Sequence, residues 1–206
     1  MKPAAVHTMR SPEIEGRMEN HKTILKEVLI PEDTLQERIA QLGEEISKDY
    51  KNSKQLLLIC ILRGAVIFMS DLSRNIHVPH AMDFMAISSY GAGNRNSSGM
   101  VRITMDLGTN IYGKDVLIVE DIIDSGNTLA YVMELLLTRK PKSLNICTLL
   151  DKAERREVEV PIRYTGFVIP NKFVFGYGLD LDELYRNLPF IGVVDLEKYQ
   201  SQTQPK

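Results

Sequence analysis

Cysteine is scarce in this chain. Only Cys60 and Cys147 occur among its 206 residues, each inside a strand-like apolar run. That pattern fits buried thiols in a reducing compartment and excludes a disulfide framework or a cysteine-rich zinc site. Long apolar runs are missing too. The longest uninterrupted one, Leu56 to Leu62, is far below the ~18 residues of a membrane-spanning helix. Neither sign of charge is in excess: 25 Lys and Arg stand against 27 Asp and Glu, a formal charge of −2. No overall basic field draws the chain to nucleic acid or to an anionic membrane, so any polyanion must be held locally. His21, His77 and His80 stand at no metal-binding spacing. A soluble, cytoplasmic protein is the expectation, with neither nucleic acid nor membrane among its partners.

Against these absences stand ordinary globular proportions, 44% hydrophobic and 25% charged residues. At ~150 residues per domain the length predicts one domain. Ile14, Glu15, Gly16 and Arg17 spell a factor Xa cleavage site directly before Met18. Residues 1–17 are therefore expected to be an expression leader and residues 18–206 a single domain. A natural extension that happens to carry this tetrapeptide is the alternative.

Apolar periodicity organises the rest. Leu35, Ile39, Leu42 and Ile46 recur at helical spacing, and Glu32 and Asp33 suit the positive end of that helix. Leu56 to Leu62 and Val116 to Val119 are apolar throughout, the mark of parallel strands covered by helices on both faces. A second helix is expected from Ala65 to Leu72, with strands at 82–90, 101–105 and 144–150. Another helix has an apolar face of Leu129, Val132, Met133, Leu136 and Leu137 and stops before Pro141. Residues 91–99 are rich in Gly, Asn and Ser and hold no period, which predicts a mobile loop. Shorter strands near Phe167, at 173–175 and at 191–194 complete an α/β fold. It has a mainly parallel central sheet flanked by helices and a small hood contributed by the chain's ends.

The most informative stretch is Val116 to Thr128: an apolar strand, then Glu120, Asp121, Ile122, Ile123, Asp124, Ser125, Gly126, Asn127 and Thr128, then a helix. Ligands of open α/β sheets bind outside the carboxyl ends of the strands, where this loop falls. At the helix start, free backbone N–H groups and the macrodipole favour an anion. The hydroxyls of Ser125 and Thr128 add donors, and Gly126 lets the backbone approach closely. That suits a phosphate. Glu120 and Asp121 would repel the same anion, but they can accept hydrogen bonds from vicinal hydroxyls or reach a metal. A diol beside a monophosphate satisfies both halves, and ribose 5-phosphate is such a ligand. The alternative is purely local, with Asp124 and Ser125 capping the helix and Glu120 and Asp121 paired to surface Lys or Arg.

These thirteen residues resemble the phosphoribosyl pyrophosphate (PRPP) signature of type I phosphoribosyltransferases. Competing motifs fail: no Gly-x-x-x-x-Gly-Lys-Ser/Thr loop occurs, and Gly176, Tyr177 and Gly178 open a dinucleotide fingerprint that Leu181 breaks. Leu62, Arg63 and Gly64, then Ser89 and Tyr90, Asp151 and Lys152, and Phe173 through Arg186 follow in order. With them the chain is similar to the purine members of that family, in their bacterial form, over residues 18–196.

The resemblance implies the type I phosphoribosyltransferase fold and a flexible active-site loop. It implies Mg²⁺-dependent transfer of the 5-phosphoribosyl group from PRPP to a 6-oxopurine in purine salvage, hypoxanthine and also guanine, by a homodimer or homotetramer. By the same resemblance, Leu62 to Gly64 wrap the pyrophosphate with backbone N–H groups, often through a cis peptide, and Arg63 and Arg186 add positive charge. Glu120 and Asp121 hold the ribose hydroxyls; Asp124, Ser125, Gly126, Asn127 and Thr128 hold the 5-phosphate. Lys152 reads the 6-oxo group, Phe173 stacks on the purine and Val174 reads its edge. Glu120, Asp121 and Asp180 are the carboxylates open to Mg²⁺, Asp180 also lining the base site. Asp124 is the expected acid–base group, relaying the N7 proton, and the loop that begins at Ser89 and Tyr90 closes over the site.

Chemistry agrees with these roles. An ammonium is donor only and so suits a 6-oxo over a 6-amino group, and the guanidinium fork matches phosphate oxygens. Taken singly, Arg63 and Arg186 read as solvated charges, Lys152 as part of the charge run to Glu157, and Phe173 as core. Asn171 stands where many relatives have an acid, and Leu181 where an aromatic often follows the site Asp. The preference among hypoxanthine, guanine and xanthine is therefore open, and a nucleotide-sensing regulator without chemistry is the rival from another class.

Overall fold

The computed structural model describes residues 21–89 and 101–203. The expectations for the leader at 1–17, for Tyr90 and for the loop at 91–99 lie outside these residues, as does the side chain of Ser89. The chain runs β1 (Leu25–Ile30), α1 (Glu32–Asp49), β2 (Leu56–Leu62), α2 (Val66–Asn75), β3 (His80–Ser89), β4 (Val101–Met105) and β5 (Asp115–Ile123). Then come α3 (Asn127–Thr138), β6 (Ser143–Asp151), β7 (Ile162–Val168), β8 (Val174–Phe175), β9 (Ile191–Val194) and α4 (Leu196–Thr203).

Six strands form the central sheet in the order β4-β3-β2-β5-β6-β7. All neighbours are parallel except β4, which folds back on β3. Successive side chains of a strand point to opposite faces. Leu56, Leu58 and Cys60 therefore join Leu117, Val119, Cys147 and Leu149 in one core, under Leu35, Ile39 and Leu42 of α1 and Phe68, Met69 and Leu72 of α2. Leu57, Ile59 and Ile61 join Val116, Ile118 and Ile146 in the other, under Leu129, Val132, Met133 and Leu136 of α3. With both faces covered, the central strands show no polar alternation. Fully burying one such Leu or Ile stabilises by ~1.5–3 kcal/mol. Two such faces outweigh the left-handed backbone at Tyr177, Asp182, Glu183 and Tyr185, which costs roughly 1–2 kcal/mol per residue.

Helix α1 starts where Pro31, extended at φ −66° and ψ 160°, offers its carbonyl to the Leu35 N–H at 3.0 Å. Glu32 and Asp33 lie at its positive end and Lys48 in its last turn, each of a sign the helix dipole favours. Both cysteines are free and buried; burial pushes the Cys60 thiol up to about 12 and raises Cys147 as well, so both stay protonated and unreactive. Among the described residues no helix is long and apolar enough to cross a membrane.

The hood expected from the chain's ends is a second, antiparallel sheet of order β1-β9-β8. β1 itself escapes the sequence reading because only Ile30 of its six residues is buried. Leu137, expected on the apolar face of α3, is instead 54% exposed, because the buried stripe follows 129, 132, 133 and 136.

Candidate active site

Parallel strands end on one side of a sheet. The carboxyl ends of β2, β5 and β6, in a register that aligns Cys60 with Val119 and Val119 with Cys147, bring Leu62–Gly64, Glu120–Thr128 and Asp151–Lys152 to a common edge. Contact there is close. A Cβ added to Gly64 would lie 1.6 Å from Asp121 Oδ2, and one added to Gly178 of the hood, at φ 100°, would lie 2.1 Å from the Gly64 carbonyl. Only glycine lets these three segments meet. The Leu62–Arg63 peptide is cis.

Between β5 and α3 the chain turns at Gly126, φ 88°, where a Cβ would strike the Val158 carbonyl at 2.4 Å. The helix begins without a side-chain cap, and the Ala130 N–H is bonded to the Gly126 carbonyl at 2.9 Å. The Asn127 N–H reaches Ser125 Oγ at 3.4 Å, part of the local capping alternative, and the amides of residues 128 and 129 are those the helix start offers to an anion. Neighbouring segments brace the loop. Glu157 and Val158 N–H donate to the Ser125 carbonyl at 2.9 and 3.0 Å, and Asn127 Nδ2 donates to Glu157 Oε2 at 2.8 Å. Arg156 Nη1 donates to the Asp124 carbonyl at 3.2 Å, while its Nη2 pairs with the buried carboxylate of Asp151. The charge run 154–157, which reads as a solvated face, is in part the scaffold of the Asp124–Thr128 loop. The available signal was Asp151 at the end of an apolar strand, since a buried carboxylate requires a partner.

Glu120 and Asp121 differ from ordinary surface acids. Glu120 Oε2 is buried with no hydrogen-bond partner among the described residues, and Asp121 Oδ1 takes the Ile122 N–H at 2.9 Å. The surface Lys or Arg partners allowed by the local alternative are not found among the described residues. Burial pushes Glu120 well above the usual carboxylate range, with Asp121 adding to it. Burial likewise pushes Asp121 up to about 6, against the backbone N–H groups and Arg186, which hold it down. A desolvated acid with an unmade hydrogen bond is poised for a donor or a cation.

Asp124 lies between two cations: Lys152 Nζ is 3.8 Å from Oδ2 and Arg155 Nε 2.8 Å from Oδ1. Arg155 was not singled out in the sequence. Lys152 is only 7% exposed; burial lowers its pKa and Asp124 partly restores it. Its N–H donates to the Ile123 carbonyl at 2.9 Å, tying it to the end of β5. Phe173 is 51% exposed, so its ring is free of the core, while Val174 is buried in β8 opposite Val193.

Arg186 Nη1 donates to the Gly178 carbonyl at 2.7 Å, and its Nη2 lies 2.8 Å from Asp180 Oδ1. Asp180 Oδ2 accepts the Glu183 N–H at 2.9 Å. Both oxygens of Asp180 are thus engaged. Among the described residues no three His, Cys, Asp or Glu side chains gather as a metal site, so Glu120, Asp121 and Asp180 form no all-protein cage. Mg²⁺ needs none, because it takes one or two carboxylates and fills the remaining positions with phosphate oxygens and water. The unpartnered oxygen of Glu120 and the carboxylate of Asp121 are donors of the right hardness.

Comparison with known proteins agrees with this geometry. The family model of the phosphoribosyl transferase domain matches residues 32–182. Hypoxanthine phosphoribosyltransferase of Salmonella typhimurium is 55% identical over 171 residues, 82% of this chain and 96% of that protein. Hypoxanthine-guanine phosphoribosyltransferase of Dictyostelium discoideum is 53% identical over 178 residues, 85% and 98% of the two chains. A crystal structure of hypoxanthine phosphoribosyltransferase from Staphylococcus aureus superposes with a TM-score of 0.83 at 47% identity, covering 87% of this chain and 97% of that one. The chain belongs to the phosphoribosyltransferase family, on the branch of the hypoxanthine and hypoxanthine-guanine enzymes.

Proposed function

We propose that this protein transfers the 5-phosphoribosyl group of PRPP to a 6-oxopurine, hypoxanthine and also guanine, releasing pyrophosphate in purine salvage. The observation that carries the reading is the braced helix start at Ser125–Thr128, whose N-cap Gly126 brings no side chain, beside two half-buried acids, one with a buried, unpartnered oxygen. A ribose 5-phosphate matches both at once. Glu120 and Asp121 accept the ribose hydroxyls, and Asp124, Ser125, Gly126, Asn127 and Thr128 hold the 5-phosphate, so the reacting carbon is confined to one place. Leu62, Arg63, Gly64 and Arg186 bind the pyrophosphate. The purine nitrogen displaces it through a transition state of oxocarbenium character, as in glycoside cleavage.

Lys152 donates to the 6-oxo group, Phe173 stacks on the ring, Val174 reads its edge and Asp180 lines the base site. Asp124 accepts the N7 proton as the base attacks. When bound through Glu120, Asp121 or Asp180, Mg²⁺ supplies charge neutralisation of the leaving pyrophosphate. Residues 1–17 are read as an expression leader, residues 18–206 as one domain, and the protein as cytoplasmic. Exposed Met82 and Phe84 of β3 beside Met105 of β4 form an apolar patch of the kind that supports a homodimer or homotetramer.

The test supplies PRPP and a magnesium salt with hypoxanthine, guanine, xanthine or adenine in separate assays of nucleotide and pyrophosphate formation. Turnover with hypoxanthine and guanine is expected, and none with adenine. Binding of nucleotide without turnover on any base would establish the regulator instead.

The raised acids make a further prediction. In the folded protein Asp121 titrates near about 6 instead of its ordinary 3.8, so between those values the folded chain holds more protons than the unfolded one. Its contribution to stability therefore falls as pH rises from about 4 to about 6 and is constant outside that window. The ionised carboxylates accept from both ribose hydroxyls, so PRPP binding is expected to release protons and to weaken by up to about tenfold per pH unit as pH falls below about 6, with Glu120, also raised, adding to the release. Titration calorimetry in buffers of different ionisation heat reads both effects. Proton uptake on binding would contradict the assignment.

A further inference from the structure

One carboxylate holds both candidate pyrophosphate arginines. Glu183 Oε1 lies 2.7 Å from Arg63 Nη2, and Glu183 Oε2 lies 3.4 Å from Arg186 Nη2. The first arginine belongs to the loop after β2 and the second to the hood, so Glu183 ties its own hood turn to a loop 120 residues before it in sequence. The hood turn is built to present it. Asp182, Glu183 and Tyr185 are all left-handed, at φ 51°, 66° and 67°, a conformation that persists only where the surroundings enforce it. Here Leu181 and Leu184 exchange backbone hydrogen bonds of 3.1 Å across the turn, and the Glu183 N–H donates to Asp180 Oδ2.

We propose that Glu183 is an internal counter-ion that competes with pyrophosphate for Arg63 and Arg186 and so sets how tightly that product is held. The inference rests on the site reading above and adds a residue to it. Competition requires that the internal pairs be displaceable. The side chains of Arg63 and Glu183 are 68% and 59% exposed, and a pair so accessible to solvent is weak; Arg186 is 24% exposed, but its contact with Glu183 is long at 3.4 Å and Asp180 remains its nearer partner at 2.8 Å. A pyrophosphate, with more charge and more acceptor oxygens, displaces one carboxylate from two guanidinium forks. Once the product leaves, the carboxylate restores the charge balance of two arginines held close together. The displaced carboxylate, 59% exposed, is left to solvent.

The test is calorimetric titration of inorganic pyrophosphate, in a saturating magnesium salt, into the wild-type protein and Glu183→Gln. The variant is expected to bind pyrophosphate about threefold to tenfold more tightly, with the difference shrinking as salt is raised and thermal melting nearly unchanged. Asp182→Asn removes the same charge from the adjacent residue, which contacts Tyr199 and neither arginine, and is expected to leave the affinity unaltered. Equal or weaker binding by Glu183→Gln overturns the proposal while leaving the site reading intact, and so does equal tightening by Asp182→Asn. If wild type and both variants all fail to bind pyrophosphate, the assignment of Arg63 and Arg186 fails, and the proposal with it.

Discussion

Asp124→Asn is expected to lower turnover about 10²–10⁴-fold, the range associated with a positioned proton acceptor, while PRPP binding changes little. The two effects separate because Asp124 serves through different atoms. Its carbonyl takes the Arg156 guanidinium at 3.2 Å, and the neighbouring Ser125 carbonyl takes two amides from the 157–158 segment. All three bonds survive the substitution, so the phosphate cradle keeps its shape. The carboxylate is what changes, from a group that accepts a proton to an amide that does not. Its ion pairs with Arg155 and Lys152 are lost as well. The Arg155 side chain is 49% exposed, so that pair contributes little to stability. Steady-state kcat together with a PRPP titration checks the split. Normal turnover would remove Asp124 from the chemistry, whereas parallel loss of kcat and PRPP binding would mean the cradle had collapsed.

What was legible in the sequence was local. β2 and β5 are apolar without interruption because each is covered on both faces, and that pattern needs no partner to be read. The run from Glu120 to Thr128 carries its chemistry within nine successive residues, since the strand end, the glycine turn and the helix start are all contiguous. What was not legible depends on contacts between distant segments. β1 is a strand only because β9, at the other end of the chain, pairs with it. Arg156 looks like one more surface charge until Asp151 is seen to be buried beneath it. Phe173 could have been core or platform, and its exposure, which excludes the core, is set by how the hood sits and not by its neighbours in sequence. Glu183 is the extreme case, because Arg186 stands only three residues on while Arg63, 120 residues away, is linked to it by no periodicity.

Lys152→Gln is expected to reduce kcat/KM for hypoxanthine about 10²-fold, and to narrow discrimination against adenine. The wild-type side chain is almost wholly buried, and an ammonium offers hydrogens only. A 6-oxo group accepts one of them. A 6-amino group presents donor to donor in a desolvated place, a mismatch that sites of this kind reject by factors of ~10⁴ or more. Gln carries both a donor and an acceptor, so it tolerates either base and favours neither strongly. Loss of one hydrogen bond from a charged donor corresponds to roughly 1.5–3 kcal/mol, which sets the expected fall for hypoxanthine. Lys152 also lies 3.8 Å from Asp124 Oδ2, so its removal alters the acid–base group too. That effect falls on every purine alike and cancels in the ratio of kcat/KM for hypoxanthine over adenine. The ratio therefore isolates base reading from proton chemistry. An unchanged ratio with both rates depressed would make Lys152 a partner of Asp124 alone, and the 6-position would have to be read by another donor in the pocket.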